Sequence, residues 1–137
     1  MTIDDIHESE REAVRAVVAI YEDAVHTASP ESFARAFHPD TLIARPLVPG
    51  GPLISLPLQT YEGSAEQLYD GEIPVHETTR NVTVDVSGHV AVARLNFHVR
   101  VGNELFEGTD FICLAKLGGR WKITYVLWDT NATQAES

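Results

Sequence analysis

From Val82 to Arg100 the chain follows a period of two, interrupted at the Ser87-Gly88 turn. Val82, Val84 and Val86 alternate with Thr83 and Asp85; Ala91, Ala93, Leu95, Phe97 and Val99 alternate with Val92, Arg94, Asn96, His98 and Arg100. Successive strand residues point to opposite faces, so this pattern specifies strands with one face on a core. Ser87-Gly88, Gly102-Asn103 and Gly118-Gly119 supply hairpin turns, with Leu105 to Leu117 and Trp121 to Trp128 as the strands that follow. The C-terminal half is therefore an antiparallel meander, which must bury one face against something else.

The N-terminal half supplies that cover. Ser9 and Glu12 match a capping box, and Val14, Val17, Val18, Tyr21 and Val25 recur at helical spacing. The spacing predicts an amphipathic helix from about Asp4 or Ser9 to about Ala28. Ser29-Pro30-Glu31 starts a second helix, which Pro39 stops at His38. Thr41 to Arg45 reads as a short strand. Pro46 to Pro57 holds four prolines and two glycines and reads as a lid or crossover loop. Ser64 to Gly71, with Ser64 and Gln67 as another capping pattern, reads as a third helix. Helices followed by a meander predict one α+β domain over residues 1–137, with three N-terminal-half helices wrapping a curved antiparallel sheet. The tail from Asn131 to Ser137 is expected to fray.

A chain of 137 residues has room for one core. Its 10 Lys and Arg against 20 Asp and Glu leave a net charge of −10, a field that repels phosphate backbones and anionic lipid. Nucleic acid and membrane surfaces are thus poor partners. The acidic N-terminus lacks the apolar core of a secretory signal, and no apolar run is long enough to span a bilayer; a soluble, cytoplasmic protein is expected. The lone Cys113 sits in the apolar run Phe111 to Ala115 and reads as a buried, inert thiol. His7, His26, His76 and His89 show no metal-ligand spacing, so no metal site is expected.

The order of elements, with Ile20-Tyr21-Glu22-Asp23-Ala24-Val25, Phe37-His38-Pro39-Asp40, Gly108-Thr109-Asp110-Phe111 and Gly119-Arg120-Trp121-Lys122-Ile123, resembles the nuclear transport factor 2-like superfamily. Within it the chain looks most like the SnoaL-like and putative lumazine-binding branch. The resemblance runs from about Val14 to Asp129. It implies a cone-shaped sheet with an apolar pocket at its mouth, the ketosteroid isomerase-like fold, and a small-molecule ligand. Aligned without gaps, the isomerase relatives' catalytic tyrosine falls on Tyr21, their general-base aspartate on Arg45, and their oxyanion-hole aspartate near Cys113. The catalytic aspartate of SnoaL-like cyclases also falls near Cys113. A guanidinium stays protonated and cannot abstract a proton, so that mechanism does not transfer unchanged.

Several side chains are candidates for chemistry, each with a plainer alternative. Tyr21 is a hydrogen-bond donor to an enolate or alkoxide, or a core tyrosine. Arg45 binds a carboxylate or polarises a carbonyl, or makes a surface ion pair. His38 is an acid or base, or a helix-terminal histidine. If the Gly102-Asn103 hairpin has a three-residue loop, Asn96 faces Asp110, with Arg94 and His98 flanking them, and Asp110 with His98 forms an acid–base pair. A two-residue loop shifts the pairing by one and sends Asp110 to the other face. Tyr61, Tyr69 and Trp128 suit a flat organic ligand at the mouth, or close the core.

Two functions follow as expectations. One is a cofactor-free isomerase, lyase, dehydratase or cyclase on a small, largely apolar molecule, with Tyr21, His98 and Asp110 catalytic, and His38, Arg45, Tyr61, Tyr69, Arg94, Asn96, Cys113 and Trp128 around the substrate. The other is a non-catalytic binding or accessory domain. Arginines beside a pocket in so acidic a chain would select an anionic or carbonyl-bearing ligand. The strand Phe111 to Leu117 is apolar on both faces, and relatives commonly dimerise through that sheet, so a homodimer is expected.

Overall fold

The computed structural model describes residues 2–27, 29–47, 51–60 and 75–135. Helix α1 spans Ile3–Thr27 and α2 spans Pro30–Ala36; the strands are β1 (Phe37–Pro46), β2 (Leu53–Pro57), β3 (Val75–Ser87), β4 (Val90–Val101), β5 (Glu104–Leu117) and β6 (Arg120–Ala135). Among the described residues no helix is long and apolar enough to cross a membrane.

Helix α1 starts earlier than the Ser9–Glu12 box. The Thr2 hydroxyl accepts from the Asp5 N–H at 3.1 Å, and the Asp5 carboxylate accepts from the Thr2 N–H at 3.0 Å, which satisfies two orphan donors reciprocally. Glu12 instead pairs with Arg15 on the exposed face. Val14, Val18, Tyr21, Ala24 and Val25 form the buried stripe. Ser29 caps α2 by accepting from the Ser32 N–H. That helix stops at Ala36, two residues short of His38. Phe37 already belongs to β1 opposite Ile123, and Lys122 donates to the terminal carbonyls of Ala34 and Arg35.

The strands form one curved, unclosed sheet in the order β2-β1-β6-β5-β4-β3. All neighbours are antiparallel except β1 and β6, which run parallel. β2 corrects the reading of Pro46 to Pro57 as a loop. It is an edge strand, where Pro57 has no second neighbour needing its missing donor. β6 also continues through Asn131–Ala135, the segment expected to fray, by pairing with the start of β5. The expected helix from Ser64 to Gly71 lies outside the described residues; Leu58–Thr60 are helical.

Bulges bend the sheet. In β3 the residues Asn81 and Val82 together oppose Leu95, and Asn81 takes a positive φ of 59°. Ala93, Leu95 and Phe97 of β4, Ile112 and Leu114 of β5, and Trp121, Ile123 and Val126 of β6 turn inward against α1 and α2. At one end of this core Glu10 of α1 accepts from Lys116 Nζ at 2.7 Å and from Trp121 Nε1 at 2.6 Å. The clamp ties the helix to the β5–β6 hairpin, and leaves the opposite end of the inner face to more polar residues.

Candidate active site

The β4–β5 hairpin turns on two residues. Val101 pairs with Glu104, Asn96 with Thr109, and Leu95 with Asp110. This is the shorter of the two loops the sequence permits, and it separates the expected acid–base pair. Asp110 enters the core face, whereas Arg94, Asn96 and His98 lie on the outer face. His98 Nδ1 is 3.2 Å from Glu107 Oε1, the Asn96 amide oxygen accepts from the Thr109 hydroxyl, and the Arg94 guanidinium rests 5.8 Å from the Phe111 ring centroid. These three residues are corrected from site to surface. Cys113 is exposed, not buried, because its parity is opposite to that of Asp110, Ile112 and Leu114. The inward-facing acid of β5 is Asp110, not a residue at position 113.

Asp110 is 6% exposed. It stands opposite Leu95 on one side and Trp128 on the other. Burial is the main cause that pushes its carboxyl up to about 8, and the negative charges of Glu77 and Glu22 push the same way. Among the described residues no group of three or more His, Cys, Asp or Glu is arranged to hold a metal ion. Glu77 and Glu22 act on Asp110 as charges.

Trp128 continues the row. Its indole meets the Phe97 ring edge-on at 6.0 Å, and the Arg45 guanidinium lies 5.2 Å from its centroid. Ala44 pairs with Leu127, so Arg45 is placed beside Trp128 near the end of β1. Arg45, Trp128, Asp110 and Leu95 therefore form one row across four strands. Gly108 makes room in the next row. A Cβ there would meet the Asp129 carbonyl and the Phe97 ring, and its absence lets Phe97 lie across the strand.

Tyr21 is buried on α1, edge-on to Phe37 with centroids 5.4 Å apart, and directly precedes Glu22 in the chain. His38 lies near the other end of β1 from Arg45; its Nδ1 accepts from the Asp40 N–H at 3.1 Å, and its carbonyl is 2.6 Å from the Thr41 hydroxyl. This is a local backbone contact within β1, beyond the end of α2, and not the contact with helix carbonyls of the helix-terminal alternative. Tyr61 and Tyr69 lie outside the described residues.

Glu22 and Glu77 escaped the sequence reading. Glu22 falls off the apolar stripe of α1. Extending the parity of Val82 and Val84 back along β3 points Glu77 outward, but the Asn81–Val82 bulge reverses the parity and sets Glu77 opposite Val99 on the inner face. The polar residue Asn81 inside a valine alternation is the signal for that bulge.

Comparisons with known proteins agree with this fold. The family described as "Putative lumazine-binding" matches residues 9–129. No curated protein matches. The fold is similar to that of Kfla4162 from Kribbella flavida (14% identity, TM-score 0.78, covering 93% of this chain and 94% of that one). It is similar to a structure named putative scytalone dehydratase from Novosphingobium aromaticivorans (17% identity, TM-score 0.76, 98% and 93% covered). It is also similar to a type 2 hexachlorocyclohexane dehydrochlorinase, LinA (13% identity, TM-score 0.76, 97% and 93% covered).

Proposed function

The chain belongs to the putative lumazine-binding family of the nuclear transport factor 2-like superfamily, and on that premise we propose that it is a cofactor-free acid–base enzyme for a small, largely apolar organic molecule, with Asp110 as its proton-transfer group. The observation that carries this reading is a carboxyl buried on the inner face beside Trp128, in the same row as Arg45, with burial pushing its pKa up to about 8. A buried acid with a displaced pKa is costly to keep in a purely structural role and is suited to moving protons near neutrality.

Below about pH 8 the Asp110 carboxyl is neutral and donates to a carbonyl or departing hydroxyl. Its carboxylate then takes a proton from the adjacent carbon. Both halves are proton transfers, so isomerisation and elimination balance without an oxidant or reductant. Tyr21 serves as the second hydrogen-bond donor and Arg45 holds a polar end of the substrate. The named activities of two structural neighbours, a dehydratase and a dehydrochlorinase, are both eliminations and support the class of reaction.

The test is proton exchange in D2O. Cyclic ketones and β-hydroxyketones are incubated with the protein, and deuterium incorporation or alkene formation is followed by NMR. Asp110→Asn, which keeps a hydrogen-bond donor but cannot transfer a proton, is expected to lower the rate by about 10²–10⁴. In the wild type the donor-limited rate falls above about pH 8. Ligand binding with no exchange or elimination, and equal affinity in Asp110→Asn, would establish a binding domain instead.

We also propose that the outer face joins two copies. Val90, Val92, Phe111, Leu127 and Leu42 are exposed there. The face carries both Arg94 and Arg100 and both Asp85 and Glu107, so a two-fold rotation can set opposite charges against each other.

A further inference from the structure

Arg45 is half-buried, and among the described residues it makes no ion pair, although the chain has twice as many acids as bases. Its guanidinium is held over the indole of Trp128 instead. A cation fixed in this way is an oriented fork, and that geometry matches a carboxylate.

Its place in the sheet says what else the ligand must carry. Trp128 is the register partner of Asp110, and Arg45 flanks Trp128 on the other side. Two strand spacings, about 10 Å, separate the two backbones. Between them the wall is aromatic: Trp128 and, in the next row, Phe97. The charges on the inner face are also sorted. Arg45 stands on β1, while Glu77 stands on β3, the opposite edge of the sheet, and Glu22 reaches the Asp110 carboxyl from α1. A negative group is therefore favoured at the β1 end and repelled at the β3 end. At neutral pH the Asp110 carboxyl is uncharged and does not cancel Arg45.

We propose that the ligand of this site is an organic monoanion: a carboxylate held by Arg45, an apolar body against Trp128 and Phe97, and an uncharged oxygen or carbon centre at Asp110. This names the substrate class for the function proposed above and rests on that reading of the site. The overall charge of −10 does not oppose it, because selection occurs at the one cation of the row. A second anionic group on the same molecule is disfavoured at the end of the row where Glu22 and Glu77 raise the cost of negative charge, so a dianion binds more weakly.

Calorimetric titration with trans-cinnamate, uncharged cinnamamide and the dianion 4-carboxycinnamate tests the assignment. The wild type is expected to bind cinnamate about tenfold or more tightly than cinnamamide, and 4-carboxycinnamate more weakly than cinnamate. Arg45→Gln is expected to remove the preference for cinnamate over cinnamamide, with an unchanged far-UV circular dichroism spectrum reporting an intact fold. Arg45→Lys is expected to keep part of the preference. Cinnamate that binds no better than cinnamamide, or does not bind, overturns the anchor, as does a preference that survives Arg45→Gln. The two proposals separate cleanly. Turnover of uncharged ketones that Arg45→Gln leaves intact would sink the monoanion and keep the enzyme. An Arg45-dependent preference for cinnamate, with no proton exchange into any carboxylated or uncharged ketone, would sink the enzyme and keep the monoanion.

Discussion

Asp110 and Trp128 are direct register partners across β5 and β6, so the buried acid of β5 stands beside an indole that carries a guanidinium on its β1 side. The carboxyl is thereby taken out of water without being given the nearby cation. Two further acids, Glu77 and Glu22, raise the cost of ionising it. A salt bridge to Arg45 would lower the same pKa. The interposed tryptophan separates the two groups, with the carboxyl at one end of an aromatic wall and, at the other, a cation that makes no ion pair among the described residues.

This arrangement predicts how stability varies with pH. The Asp110 pKa rises from 3.8 in the unfolded chain to about 8 in the fold, so the folded state holds the proton more tightly. The contribution is fully present below about pH 4, is lost progressively as pH rises toward 8, and changes no further above it. Urea unfolding of the wild type and of Asp110→Asn at a series of pH values isolates it. The stability of the wild type relative to the variant is expected to fall by several kcal/mol between about pH 4 and 8. A difference that stays flat across that range would show that Asp110 titrates normally.

Gly108 is required for close approach, not for backbone freedom. A methyl group there would run into the Asp129 carbonyl, which is backbone, as well as the Phe97 ring. Gly108→Ala is expected to cost about 1–3 kcal/mol or more by forcing β5 and β6 apart beside Asp110. Gly88→Ala meets no atom within 4 Å and pays only for its positive φ of 59°, about 1–2 kcal/mol. Thermal unfolding of the two variants should rank them in that order, and proton exchange should suffer in Gly108→Ala alone.

The Glu10 clamp carries a prediction of its own. Removing its carboxylate leaves the Trp121 N–H, on a side chain 5% exposed, without its acceptor, and releases Lys116. Glu10→Ala is expected to destabilise the fold by about 1–3 kcal/mol without changing the affinity for cinnamate, because the clamp lies at the other end of the core. The hydrogen bonds from Lys116 and Trp121 hold the Glu10 pKa below its ordinary value, so this contribution is present at neutral pH and is lost as the solution is acidified. Glu10→Gln, which can still accept from Trp121, should recover part of the loss.

The elements were legible wherever a local rule decided them. Ser29-Pro30 starts α2, and the valine and glycine pattern marks the β3 to β6 hairpins. The site was less legible because it depends on parity, and parity is set by single residues. One residue of loop length at Gly102-Asn103 moves Asp110 from beside His98 to the inner face. One bulge at Asn81 moves Glu77 the same way. β2 was hidden because prolines count against a central strand and not against an edge. Tyr21, Arg45, Asp110 and Trp128 were named from sequence, yet no local pattern reports that β1 lies beside β6, which is what brings Arg45 to Trp128.

The outer face gives the last prediction. Phe111 is 45% exposed and Leu127 39% exposed, and they are register partners on adjacent strands. With Leu42 and Val92 nearby they form apolar surface where a β-sheet normally needs cover. A second copy brought up by a two-fold axis would bury this surface twice over, once from each partner. The double variant Phe111→Asp and Leu127→Asp is expected to convert a species of about 30 kDa into one of about 15 kDa in light scattering, since the chain weighs 15.1 kDa. Both side chains point away from the core, so far-UV circular dichroism should be unchanged. A wild type that scatters as about 15 kDa at millimolar concentration would remove the dimer. It would leave the inner-face site untouched, because Asp110, Trp128 and Arg45 all lie on the other side of the sheet.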